Sequence, residues 1–120
     1  MLIPSRYKLA KSFPAAMTIR SIRPKDRAEW LRMRRALWPD CSKAMHAVEM
    51  REDGATPSRT TVFVLARNRD ELGGFLEMSV RTRVDGSRSK VVAYVEGWYV
   101  DPDLRGRGFG RRLMSAAAKW

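Results

Sequence analysis

The chain has 120 residues, 44% of them hydrophobic, and a formal net charge of +11 from 24 basic against 13 acidic residues. That length fits one domain, the single cysteine excludes an internal disulfide framework, and no apolar run approaches the roughly 20 residues of a membrane span. The basic residues are spread along the chain without zinc-ligand spacing, an RNA-recognition signature or a basic helix with a dimerisation seam, which argues against nucleic acid as the partner.

Residues 1–16 carry Arg6, Lys8 and Lys11 but lack the continuous apolar stretch of a secretory signal. They read as a disordered N-terminal extension, with Met17 as an alternative start and 17–120 as the folded domain. A lone cysteine without a secretory signal points to a reducing, cytoplasmic compartment.

Thr18 to Ile22 alternates apolar and polar residues and reads as a first strand. Pro24 can open a helix, with Asp26 and Glu29 near its positive end. Trp30, Leu31, Met33, Leu37 and Trp38 recur at roughly helical spacing until Pro39 ends the run. Ser42 can cap a second helix, Lys43 to Glu52, ahead of the breakers Gly54 and Pro57. On this reading His46 lies on a surface helix and Cys41 is a bystander. Thr61 to Ala66, Gly74 to Val80 and Val91 to Val100 are β-rich runs separated by Asn68-Arg-Asp and Val84-Asp-Gly-Ser, the pattern of an antiparallel meander. A glycine-rich loop, Asp101 to Gly110, then leads into a helix that runs toward Trp120. The expected fold class is α+β, a mostly antiparallel central sheet flanked by helices.

The loop carries the most chemistry. In Arg105-Gly-Arg-Gly-Phe-Gly the glycines let the backbone come close to a ligand and adopt positive φ. Successive N–H groups at the helix start can then surround a pyrophosphate, whose charge the helix dipole favours. A nucleotide P-loop would need Gly-Lys-Ser/Thr where this loop has Gly-Arg-Arg. A dinucleotide fingerprint belongs in the first strand-turn-helix unit of a parallel domain, whereas this loop follows a meander. Glu96 is the strongest acid/base candidate. Strand alternation puts it on one face with Val92, Tyr94, Trp98 and Val100, apolar surroundings of the kind that tune a carboxylate to accept a proton. The alternative is a strand-end carboxylate paired with one of the many arginines.

Arg105, Gly108 and Gly110 match the Arg/Gln-x-x-Gly-x-Gly/Ala signature of the GNAT superfamily of N-acetyltransferases. Val-Asp-Pro-Asp-Leu-Arg-Gly-Arg-Gly-Phe-Gly resembles the family motif from end to end. The resemblance implies acetyl-CoA as cosubstrate, held by Arg105, Gly106, Arg107, Gly108, Phe109 and Gly110. It also implies an acyl arm bordered by Trp98, Tyr99 and Val100, where a backbone N–H polarises the thioester carbonyl. Because the amine attacks the thioester directly, the family needs no nucleophilic cysteine, and no metal is expected.

Two further stretches resemble the aminoglycoside 6′-N-acetyltransferases of that superfamily: Trp30-Leu-Arg-Met-Arg-Arg-Ala-Leu-Trp-Pro and Tyr94-Val-Glu-Gly-Trp-Tyr-Val. Carried over, Trp38 flanks a cationic small-molecule amine and Glu96 lies beside the nitrogen to be acetylated. Glu49, Glu52 and Asp53 could add acid near the pocket. The group's substrate tyrosine is not evident in Thr82-Arg-Val-Asp-Gly. The family continues beyond this helix with further strands, so the resemblance implies a C-terminally truncated domain. Its fourth strand would expose Val95, Trp98 and Val100, favouring self-association, with a homodimer left open, and weak activity. The other readings are an acetyltransferase for a different small-molecule or protein amine, an inactive CoA-binding remnant, and a basic polyanion-binding module.

Overall fold

The computed structural model describes residues 17–55, 60–68 and 70–120; the expected extension 1–16 lies outside them. The elements are β1 (Thr18–Ser21), α1 (Arg27–Leu37), α2 (Lys43–Ala55), β2 (Thr60–Asn68), β3 (Glu71–Asp85), β4 (Arg88–Val100) and α3 (Phe109–Ala118), with 3-10 turns at Pro24–Asp26 and Pro102–Leu104.

Local chemistry sets these boundaries. Pro24 opens the 3-10 turn before α1, and the Asp26 carboxylate accepts the Arg23 N–H at 2.8 Å. The first acidic residue thus closes the turn and pairs with Arg20, at 2.7 and 3.0 Å, as well as lying near a helix dipole. Ser42 Oγ accepts the Met45 N–H at 3.0 Å, which confirms the cap on α2. Between β3 and β4 only Gly86 and Ser87 turn the chain, and Gly86 has a φ of 66°. Such a tight turn lets pairing start at Asp85 and Arg88, so both strands run well past the lengths their composition predicts.

The four strands form one antiparallel sheet in the order β1-β2-β3-β4, the expected meander. Its two faces carry separate cores. Under α1 and α2 lie Trp30, Met33, Met50, Val62, Val64, Leu72, Phe75 and Tyr99. Against α3 lie Met17, Leu65, Leu76, Met78, Val100, Leu104, Leu113 and Ala117. Leu113 is completely buried, and truncating such a side chain to alanine costs about 2–5 kcal/mol. Val100 is therefore a core residue, not part of an exposed strip; Val95 and Trp98, at 45% and 46% exposure, do face solvent. Among the described residues β4 pairs on one side only, with β3.

The decisive irregularity is a β-bulge in β4. Glu77 pairs with Gly97 and Met78 with Val95, so Glu96 is the extra residue in the register. Beyond it the alternation is reset. Gly97 and Tyr99 continue the α1 side of the sheet, and Trp98 and Val100 turn toward α3. Glu96 therefore does not share a face with Trp98 and Val100, contrary to simple period-two counting.

Candidate functional site

An open cleft of about 800 Å³ lies between α1, the start of α2 and the β3–β4 pair. Its lining includes Trp38, Asp40, Cys41, Glu49, Glu77, Ser79, Arg81 and Glu96. Among the described residues its charged lining is four carboxylates (Asp40, Glu49, Glu77, Glu96) against two guanidiniums (Arg34, Arg81), a net-acidic set in a chain of charge +11.

Glu96 stands at the cleft because it follows Tyr94 by two on the face that also carries Ser79 and Arg81; the bulge turns only the residues after it. Its side chain is about a third exposed, and Oε2 accepts Ser79 Oγ at 2.5 Å and Arg81 Nη2 at 2.6 Å. Of the surroundings expected from strand alternation, Trp98 and Val100 are lost to the other face, and a hydroxyl and a guanidinium hold the carboxylate. The arginine-paired alternative is thus realised, at a position that still faces the cavity.

Trp38 is half-buried where α1 ends, its N–H donating to Arg34 O at 2.8 Å. Its ring meets Phe75 edge-on at 6.3 Å between centroids and covers the Arg34 guanidinium at 4.7 Å. It contributes to the core and to the cleft wall at once.

Beneath the wall is a buried polar network that the sequence analysis missed. Arg34 and Glu77 are 1% and 3% exposed. Glu77 accepts Trp30 Nε1–H at 2.8 Å and an Arg34 Nη1–H, and Arg34 Nη2 donates to Glu49. Arg34 Nε donates to His46 Nδ1 at 3.2 Å, leaving His46 Nε2 to donate to Trp38 O at 3.3 Å. His46 is therefore fully buried under the cleft, not on a surface helix as its sequence context implied. Cys41, His46 and Glu49 offer ligand atoms within 4.8 Å of one another, but Arg34 already engages both His46 and Glu49. Of the three acidic candidates on α2, Glu49 reaches the cleft; the side chains of Glu52 and Asp53 lie outside the described residues.

At the far end of β4 the chain is locked before it enters the glycine loop. Asp101 N donates to Gly73 O at 2.8 Å, and its carboxylate accepts from Arg32 at 3.0 and 3.2 Å and from Arg67 at 3.3 Å. Bonds to Glu29 and Asp101 push the already high Arg32 pKa further up, and burial, with the Asp101 charge next, raises the Tyr99 phenol. Arg105 Nε donates to Val100 O at 2.7 Å, folding the loop back on the strand.

Gly106 and Gly108 have φ of 79° and 88°, and Gly108 forms the N-terminal boundary of α3. A β-carbon at either would meet nothing within 4 Å, so these glycines are required by backbone conformation and leave the approach to the loop open. Arg105, Arg107, Arg111 and Arg112 are all exposed around it. A helix start with free N–H groups and surrounding arginines suits a polyphosphate. Trp98 Nε1 donates to Gly110 O at 3.1 Å, and Phe109 is half-buried with Arg112 over its ring at 5.6 Å. Of the residues expected to border an acyl arm, Trp98 is exposed on the α3 side, whereas the Tyr99 and Val100 side chains are core and present only backbone. An acidic cleft on one face of β4 and an anion-suited loop packed against its end, with Gly110 bonded to Trp98, are thus served by the same strand.

Comparison with known proteins agrees with this geometry. The model of the acetyltransferase (GNAT) family matches residues 26–120. The aminoglycoside N(6′)-acetyltransferase type 1 of Stenotrophomonas maltophilia is 36% identical over 107 residues, which cover 88% of this chain and 68% of that protein. The protein of the same name from Klebsiella aerogenes is 36% identical over 104 residues, covering 85% and 68% respectively. Among solved structures, AAC(6′)-Iy in complex with the bisubstrate analogue CoA-S-monomethyl-acetylneamine superposes with a TM-score of 0.75 at 28% identity, covering 87% of this chain and 70% of that one. The aminoglycoside 6′-N-acetyltransferase AAC(6′)-Ih from Acinetobacter baumannii gives 0.72 at 30% identity with the same coverages.

Proposed function

The chain belongs to the GNAT acetyltransferase family, and from that premise we propose that it transfers the acetyl group of acetyl-CoA to the 6′-amine of an aminoglycoside. The observation that carries the acceptor is the net-acidic set of described residues lining the cleft beside the Trp38 ring, in an otherwise strongly basic chain. A polycationic sugar needs carboxylates for its ammonium groups and an apolar plane for its rings.

On the donor side, Arg105 to Gly110 receive the pyrophosphate of acetyl-CoA through backbone N–H groups and arginines, and Trp98 borders the acyl arm. Acetyl-CoA supplies the activated acyl group. The amine nitrogen forms a bond to the carbonyl carbon as the carbon–sulfur bond breaks, and the departing sulfur takes up a proton. Glu96 removes the proton that the ammonium must lose, directly or through a water. A backbone N–H of Trp98, Tyr99 or Val100 stabilises the charge that develops on the carbonyl oxygen. The need for acetyl-CoA and the lone cysteine support the cytoplasm as the place of action.

The second reading, an acceptor amine of another class, draws support from the absence of a tyrosine in Thr82-Arg-Val-Asp-Gly. Calorimetric titration of acetyl-CoA followed by thiol release over aminoglycosides, polyamines and peptides separates the two. Turnover confined to polyamines or peptides would replace the aminoglycoside reading.

A further inference from the structure

Resting on the amine-binding reading of the cleft, we propose that Arg81 occupies at Glu96 the place the substrate ammonium takes, so that the acceptor binds by exchanging one cation for another. Arg81 Nη2 lies 2.6 Å from Glu96 Oε2, and its guanidinium carbon sits 4.5 Å from the centroid of the Tyr94 ring. A carboxylate beside an aromatic face is the environment a cleft offers a primary ammonium ion. Arg81 satisfies it from within.

The two cleft arginines differ in kind. Arg34 is buried and tied to Glu77, Glu49 and His46, so it belongs to the fabric of the wall. The Arg81 side chain is 55% exposed, and the residues after it on β3, Thr82 and Arg83, are exposed as well. Once released from Glu96, the guanidinium can swing into water, giving up its place over the Tyr94 ring. Ser79 Oγ, 2.5 Å from the same oxygen, keeps the carboxylate aimed when Arg81 leaves. Exposed ion pairs of this sort are weak, so a substrate ammonium can displace the guanidinium.

Exchange makes a quantitative demand. Every acceptor amine pays the same displacement, so removing Arg81 strengthens binding of all of them by one common factor. The test is calorimetric titration of neamine and of the monoamine 6-amino-6-deoxyglucose into the full chain and into Arg81→Gln, Arg81→Lys and Arg83→Gln. Arg81→Gln should bind both amines about two- to fivefold more tightly, the range expected for loss of an exposed ion pair. Arg81→Lys should restore parental affinity. Arg83→Gln, which removes the same charge without touching Glu96, should bind as the parent does. Equal tightening by Arg83→Gln would reduce the effect to bulk charge and overturn the exchange. So would parental or weaker affinity in Arg81→Gln while the parent binds neamine; in that case the amine-binding reading stands. Failure of every protein, parent included, to bind either amine overturns both.

Discussion

Trp38 lies directly against Gly97: a β-carbon at Gly97 would stand 2.5 Å from Trp38 Cη2 and 3.3 Å from Phe75 Cε1. The β4 bulge therefore serves two purposes. It holds Glu96 and Gly97 on the same side of the strand, and it leaves bare backbone where the tryptophan wall must sit.

Gly97→Ala should push Trp38 outward and strain the core around Phe75. Overpacking of this type costs about 1–3 kcal/mol. Urea unfolding should read that loss, and tryptophan emission should shift as Trp38 gains solvent. An unchanged midpoint and spectrum would mean that the ring has room to spare.

Glu96→Gln should preserve the bulge and the Ser79 hydrogen bond while losing proton acceptance. Turnover should fall by roughly 10²–10⁴, the range for removal of a general base, and amine affinity should weaken. Single-turnover acetyl transfer at saturating amine isolates the first effect. Parental rates would pass the role of base to another group or to a chain of waters.

At Gly108, with φ of 88°, a β-branched residue is strained even though there is space for its side chain. Gly108→Val should weaken acetyl-CoA binding by distorting the start of α3, while Gly86→Val, at the distant hairpin turn, should not. Calorimetry with CoA compares the two. Equal CoA affinity in Gly108→Val and the parent would remove the loop from the phosphate site.

Acid should destabilise the fold through Asp26 and Glu29. Arg20 hydrogen bonds hold the Asp26 carboxyl below its usual range. Burial pulls Glu29 upward, but Arg32 and the Leu72 N–H outweigh it and leave a net lowering. Both folded values are depressed, so their stabilisation is complete above the ordinary carboxylate range near pH ~4 and is lost as pH falls through the folded values. Asp26→Asn should cost about 1–3 kcal/mol at neutral pH, with the gap from the parent narrowing in acid. A gap independent of pH would contradict this account.

Element order, the meander, the Ser42 cap and the glycine loop were legible because each has a local cause: alternation, a proline or hydroxyl at a boundary, or glycines at positive φ. The bulge was not, since one extra residue carries no compositional mark beyond Gly97, and missing it put Trp98 and Val100 on the face of Glu96. The buried network was hidden because arginine and glutamate read as solvent-facing. Position was the available signal: Arg34 follows Trp30 by four residues on the apolar face of α1, and Glu77 follows Phe75 by two on β3. A charge breaking an apolar face at each of two facing elements marks a partnered pair, because neither can be buried alone.

The most direct test of the account is the mass and position of the product when the chain is incubated with acetyl-CoA and neamine, an endpoint sensitive to slow turnover. The account predicts one acetyl group, on the 6′-amine, with its formation strongly reduced in Glu96→Gln. Bound acetyl-CoA with no acetyl group on neamine, while a polyamine or peptide amine is acetylated, would contradict it.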